Sequence, residues 1–166
     1  KTFDESVNLM SSGEVVLQSM WSPAVTAVRA RGIPCVYAPL KEGYRGWGGG
    51  LGLSKNLSGI KLDAAYEYLN WMLDGWVGGF LSRQGYYSAA PQNARKFMKP
   101  EEWDFWYEGK SAAIDIIDPF GKKIESKGAV RDGGSFTERM GNVVCWNSFM
   151  QQQVYLVYKW TEFIVA

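Results

Sequence analysis

Histidine is absent from the 166 residues of this sequence, and its absence removes much nucleophilic and metal chemistry at once. Neither a Ser-His-Asp nor a Cys-His arrangement can be assembled. Zinc sites that use imidazole are excluded, and Cys35 and Cys145 are too few for an all-thiolate site. Carboxylates, arginines and a large set of aromatic rings remain, with 8 Trp, 9 Tyr and 8 Phe making up 15% of the chain. Aromatic faces attract cations through the ring quadrupole, and a carboxylate can fix the bound charge. Aromatic grooves with paired carboxylates also serve glycoside hydrolases, for which Glu101, Glu102, Asp104 and Asp132 are the candidates. Glu101 and Glu102 directly follow Pro100, however, at a predicted helix start where the macrodipole stabilises acidic residues without any catalysis. Arg131 and Asp132 lie in a polar, glycine-containing turn, and Ser135 with Glu138 has the spacing of a capping box at the helix that follows. The two cysteines sit far apart in apolar surroundings. They read as buried free thiols, with a disulfide as the alternative in an exported protein.

The bulk composition narrows the classes further. The chain is 46% hydrophobic and 21% charged, an ordinary globular balance for one domain. Its formal net charge of +1 gives no electrostatic footprint for nucleic acid or an anionic membrane. Its apolar runs fall short of the roughly 20 residues a membrane-spanning helix needs, and no secretory signal pattern stands at its start. A chain opening on Lys1 is expected to be a piece of a longer or processed protein.

Periodicity supplies the elements that would position these groups. Residues 4–10 predict a short helix with acidic residues in its first turn, ended by Gly13. Residues 15–21 predict a strand, Ser22-Pro23 opens a second helix that stops near Gly32, and residues 35–38 predict another strand. Strand-helix-strand alternation indicates an α/β layer arrangement. Residues 46–52 hold five glycines, which suits a chain crossing rather than an ordinary strand. Leu62, Ala65, Tyr66, Leu69 and Leu73 mark a helix over 62–73, followed by a second over 76–84 with Gly85 as its cap. Short helices are predicted over 91–98 and from Pro100, the latter carrying Trp103, Trp106 and Tyr107. Residues 109–134 read as irregular. Residues 136–164 read as one long helical region whose buried stripe would include Phe136, Met140, Val143, Cys145, Phe149, Val154, Val157, Trp160 and Phe163.

Four stretches resemble one known family in order and spacing. They are Gly13-Glu14-Val15 running to Trp21, Pro39-Leu40-Lys41-Glu42-Gly43 running to Trp47, the helix over 62–73, and Gly85-Tyr86-Tyr87-Ser88. Together they resemble the family 1 extracellular solute-binding proteins of ABC transporters, in the spermidine/putrescine-binding branch. The resemblance implies part of a periplasmic-binding-protein-like type II α/β fold, an incomplete two-lobe architecture with a helix-rich C-terminus. Residues 1–47 would end the second lobe, 48–95 would form a segment of the first, and 96–166 would return to the second. It implies an extracytoplasmic, non-enzymatic protein without cofactor or bound metal, which captures a small solute and hands it to a membrane permease. It implies no nucleic-acid partner. The 48–95 segment would lack its first-lobe neighbours, so exposed apolar faces at Leu69, Trp76 and Phe80 are expected to drive self-association.

Carried over by position, Trp21, Trp47 and Tyr86 would be the cleft aromatics, with Tyr87 the alternative to Tyr86. Trp21 has a second reading as a core residue at a strand end. The polyamine branch carries an aspartate two residues after the second Trp, where this chain has Gly49. The missing charge-assisted hydrogen bond is worth about 1.5–3 kcal/mol, which shifts the expected cargo toward another small amine or an amino-acid-like compound. Arg45, beside the same crossing, would suit an anionic group or else pair with Glu42. Asp132 or Arg131 would stand at the cleft mouth, and Thr137 would occupy the family's late contact position. The rivals are a glycoside hydrolase fragment and an aromatic-rich carbohydrate-binding module, the second disfavoured by the strong helical periodicity.

Overall fold

A computed structural model describes residues 2–147 and 151–165. Helix α1 (Phe3–Ser12) starts on a capping box between Thr2 and Glu5 and ends at Gly13 in the left-handed conformation. Helix α2 (Ser22–Arg29) begins immediately after Trp21, with Pro23 in its first turn, where a missing N–H costs nothing. The two helices pack through Val7, Ala24 and Val28, a small core closed by Phe3, Met10, Met20 and Ile33.

Strand β1 (Tyr44–Gly46) leads into the glycine-rich segment. Helix α3 (Ile60–Asp74) and helix α4 (Trp76–Ser82) follow, then the short α5 (Pro91–Arg95) and α6 (Pro100–Trp106). The main core gathers around α6: Trp103, Phe105, Trp106 and Tyr107 pack with Ile116 and Ile124. Those isoleucines come from a hairpin of β2 (Ile116–Ile117) and β3 (Lys123–Glu125), antiparallel, within the stretch predicted to be irregular. Two apolar residues separated by a tight turn suffice when each inserts into an aromatic cluster, and a pattern that short is invisible to periodicity.

Gly85 lies where α4 leads back against α2. It has φ 92°, and a Cβ there would stand 2.5 Å from the Thr26 hydroxyl, so the close approach needs glycine. Residues 76–95 are therefore packed onto the same body as residues 1–47 and the α6 core. Ser82 reinforces this, its hydroxyl lying 2.8 Å from that of Tyr107. Helix α3, by contrast, has no buried residue.

Five expectations are corrected. Residues 15–21 form no strand, and Val16 and Leu17 are exposed, because no partner strand lies beside them among the described residues. Residues 35–38 form no strand and are held by side chains: Arg29 Nε donates to the Cys35 carbonyl at 2.7 Å, and the Tyr37 N–H donates to Asp132 at 2.9 Å. The long helix predicted over 136–164 is broken. Helix α7 (Phe136–Gly141) stops, and β4 (Val143–Trp146) pairs in parallel with β1. Its Val-Val-Cys-Trp sequence suits a pleated surface once a partner strand exists. Helix α8 (Gln153–Val165) buries nothing, so Val154, Val157, Trp160 and Phe163 are exposed rather than a core stripe. Phe149 lies outside the described residues. Cys145 is exposed, contrary to the buried-thiol expectation, and both cysteines are free.

Candidate functional site

Trp21 occupies the N-cap position of α2 in extended conformation. Trp47 directly follows β1. The two rings meet at 5.9 Å between centroids with 23° between planes, and each is about half exposed, at 49% and 55%. Phe3 also stacks with Trp21, at 6.1 Å. Trp21 thus contacts both Trp47 and Phe3 at the start of α1.

Phe3 also lines a pocket of about 220 Å³, together with Pro23, Thr26, Tyr86, Asp118 and Phe120. Phe3 is common to the ring series and the pocket, packing against Trp21 and lining the pocket that Tyr86 also lines. Asp118 is the one acidic residue of that lining. Oδ1 accepts the N–H groups of Phe120 and Lys122, both at 2.8 Å, in the turn that joins β2 to β3. Oδ2 carries no hydrogen bond among the described residues. Tyr87 points the other way, into the core, with its ring edge-on to Tyr107 and Phe136 at 5.4 and 4.8 Å. Tyr86, not its neighbour, is therefore the tyrosine available at this surface.

The remaining candidates are dispersed. Gly49 is exposed beside the stack, and a Cβ there would touch the edge of the Trp47 indole at 3.3 Å. Arg45 is exposed on the face of β1 opposite Tyr44, and no ion pair joins it to Glu42 among the described residues. Asp132 is committed to structure: its carboxylate takes the Arg29 guanidinium and the Tyr37 N–H. Arg29 reaches Glu125 as well, tying α2, β3 and the 35–37 segment together. Burial pushes the Glu125 carboxyl up despite Arg29 beside it. Thr137 is exposed in the first turn of α7, whose capping box of Ser135 and Glu138 forms as its spacing predicts.

Of the carboxylates nominated for hydrolysis, Asp132, Glu102 and Asp104 are engaged in hydrogen bonds or ion pairs, whereas the Glu101 side chain has neither among the described residues. Glu102 receives Arg83 through both oxygens, at 3.0 and 2.8 Å, and the Lys99 N–H at 2.9 Å. Burial alone would raise its carboxyl, but these donors outweigh it and hold the group below the usual range. Asp104 pairs with Lys110 at 3.0 Å. Among the described residues no cluster of three or more Cys, Asp or Glu is arranged to hold a metal ion, and no helix is long and apolar enough to cross a membrane.

Asp118, Phe3 and Phe120 were not singled out by sequence. The Asp118-Pro119-Phe120-Gly121 turn signature was there to be read, but only the fold brings that turn against α1 and α2. Compared with known proteins, the chain matches no family, no curated protein and no solved structure.

Proposed function

We propose that this chain is the C-terminal portion of the solute-binding component of an ABC transporter, of the type II two-lobe class, and that it captures a small amine-bearing solute for delivery to a membrane permease. The observation that carries this reading is the Trp47–Trp21–Phe3 series of rings, its two indoles half exposed, beside a pocket lined by Phe3, Asp118 and Tyr86. Ring faces and a carboxylate with one uncommitted oxygen are what an ammonium group needs: diffuse attraction from the rings and one directed charge-assisted bond. Asp118 also offers a replacement for the carboxylate that Gly49 does not supply. Binding occurs without covalent chemistry, outside the cytoplasm, and ends in lobe closure around the solute. The exposed apolar helices of the chain support self-association as a second property.

Calorimetric titration with putrescine, 4-aminobutyrate, a quaternary amine and a neutral disaccharide tests the reading. The amine-bearing probes are expected to bind. Trp21→Ala and Trp47→Ala are each expected to weaken them by roughly 2- to 30-fold, the range of one cation–π contact, whereas Trp160→Ala on α8 leaves them unchanged. Binding of the disaccharide alone would instead establish the carbohydrate-binding alternative.

A further inference from the structure

The pocket beside Phe3 carries more polar chemistry than an ammonium group uses. Thr26, Gln84 and Tyr86 line it together with Asp118, and the first three make no side-chain hydrogen bond to another described residue. Thr26 sits within α2, whereas Gln84 and Tyr86 flank Gly85 where α4 ends. Their backbone is fixed there. The Gln84 and Tyr86 N–H groups both donate to the Leu81 carbonyl, at 2.9 and 3.2 Å, and the Gly85 N–H donates to the Ser82 carbonyl at 2.9 Å. Residues bearing one carboxamide and two hydroxyls thus meet at one small cavity from two elements, and none of these groups is spent on the fold.

The charge of the lining is as restrictive as its polarity. Asp118 is its one acidic residue and no Lys or Arg lines it, so the pocket offers a counter-charge to one ammonium. A second ammonium drawn in would lie among neutral side chains, and an unpaired charge taken from water costs several kcal/mol. The volume of about 220 Å³ lies below the roughly 300–1,000 Å³ of pockets for drug-sized ligands, which suits a single ring or a chain of similar bulk. Phe3 and Phe120 supply apolar contact surface on that scale. Hydroxyls and a carboxamide both donate and accept hydrogen bonds. A ligand hydroxyl satisfies either role, whereas an aliphatic amine without hydroxyls takes those side chains out of water and leaves them unpaired.

Resting on the amine-binding function proposed above, we propose that this pocket selects a hydroxylated monoamine of single-ring size, the chemistry of an amino sugar. The ammonium pairs with Asp118, and the ring hydroxyls are held by Gln84, Tyr86 and Thr26. Gln84 and Tyr86 are then the specificity-determining residues: Asp118 admits the cation, and they choose among cations. A simple diamine meets only part of this set.

Calorimetric titration with glucosamine, cyclohexylamine and glucose, at a pH where both amines are charged, separates charge from hydroxyls at constant ring size. Glucosamine is expected to bind about tenfold more tightly than either of the others. Tyr86→Phe and Gln84→Met each remove hydrogen-bonding atoms that have no partner in the fold, so the thermal midpoint is expected to hold. Each is expected to weaken glucosamine about fivefold relative to cyclohexylamine. Asp118→Asn keeps an oxygen for the Phe120 and Lys122 N–H groups and is expected to weaken both amines alike. Cyclohexylamine bound as tightly as glucosamine, or a glucosamine affinity unmoved by both Tyr86→Phe and Gln84→Met, overturns the hydroxyl selection. The amine reading is judged separately. Equal, Trp21-dependent binding of the two amines preserves it, whereas glucose bound as tightly as glucosamine overturns both. Absence of glucosamine binding rejects the selection, and 4-aminobutyrate then decides whether an amine site remains.

Discussion

Glu102 illustrates how one side chain can serve as helix cap, ion-pair partner and pH-sensitive group. Its carboxylate joins the start of α6 to Arg83, which also donates to the Phe97 carbonyl at 2.8 Å. Glu102→Gln keeps the shape but removes the charge from a largely buried, two-point interaction. Partial exposure of Arg83 tempers the cost, to about 1–2 kcal/mol near neutral pH. A fall in the unfolding midpoint of about 2–8 °C follows. The sign of its pH dependence is fixed by the direction of the shift. Because the folded carboxyl is more acidic than the unfolded one, its contribution is complete above the unfolded value and fades as pH falls through the folded one. The midpoints of wild type and variant are therefore expected to converge on acidification below about pH 4.5; a gap that widens there would contradict the assignment. Glu125 runs the opposite way, since burial raises it in the folded state and ionisation costs stability as pH climbs past the unfolded value.

At the scale of elements, helix starts were legible and strand pairing was not. Gly13, Ser22-Pro23, Pro91, Pro100 and Ser135-Glu138 each mark a boundary by chemistry within four residues, and each marks one in the fold. Residues 15–21 and 143–146 show the limit of that reasoning. Both are rich in β-branched and aromatic residues, but only the second has a neighbour, because only β1 reaches it. The candidate site divides in the same way. Trp21 and Trp47 came from motif position and do meet, whereas Asp118 and Phe120 depend on contacts between segments distant in sequence. The β1–β4 pairing rests on Gly46, where a Cβ would approach both the Trp146 ring and the Val143 side chain to 2.8 Å. Gly46→Val is expected to force the strands apart. Hydrogen exchange at the Tyr44 and Asn147 amides, which donate to Asn142 and Gly46, is the direct readout. Protection retained at both would show that the ladder tolerates a side chain there. Arg29 makes a comparable link by charge alone. Arg29→Met would leave Glu125 and Asp132 together without their cation, at an expected cost of about 2–3 kcal/mol at neutral pH.

At the scale of the whole molecule, the distribution of apolar surface is uneven. The α1–α2 layer and the α6 aromatic cluster are well buried, while α3 and α8 bury no residue. Rings continue across the outside from Tyr68 through Trp71, Trp76 and Phe80 to Phe120, each within 6.1 Å of the next. On α8, Trp160, Phe163, Ile164 and Val165 are exposed as well. Apolar patches of this kind are normally covered by a partner surface. A first lobe would cover α3 in the complete architecture proposed for this protein; a second copy of the chain is the cover that purification of the chain alone supplies. Sedimentation velocity between about 1 and 100 µM is expected to show reversible self-association, since burying a few such rings provides the energy of a weak dimer. The two faces can be separated. Trp71→Glu places a charge on α3, and Trp160→Glu places one on α8. If α3 is the contact, the first variant is monomeric at 100 µM and the second is not, consistent with a surface built to meet a lobe. If α8 is the contact, the order reverses, and the association says nothing about two-lobe architecture. A wild-type chain that stays monomeric at tens of micromolar would remove the self-association proposal altogether, leaving the Trp21–Trp47 site to be judged on ligand binding alone.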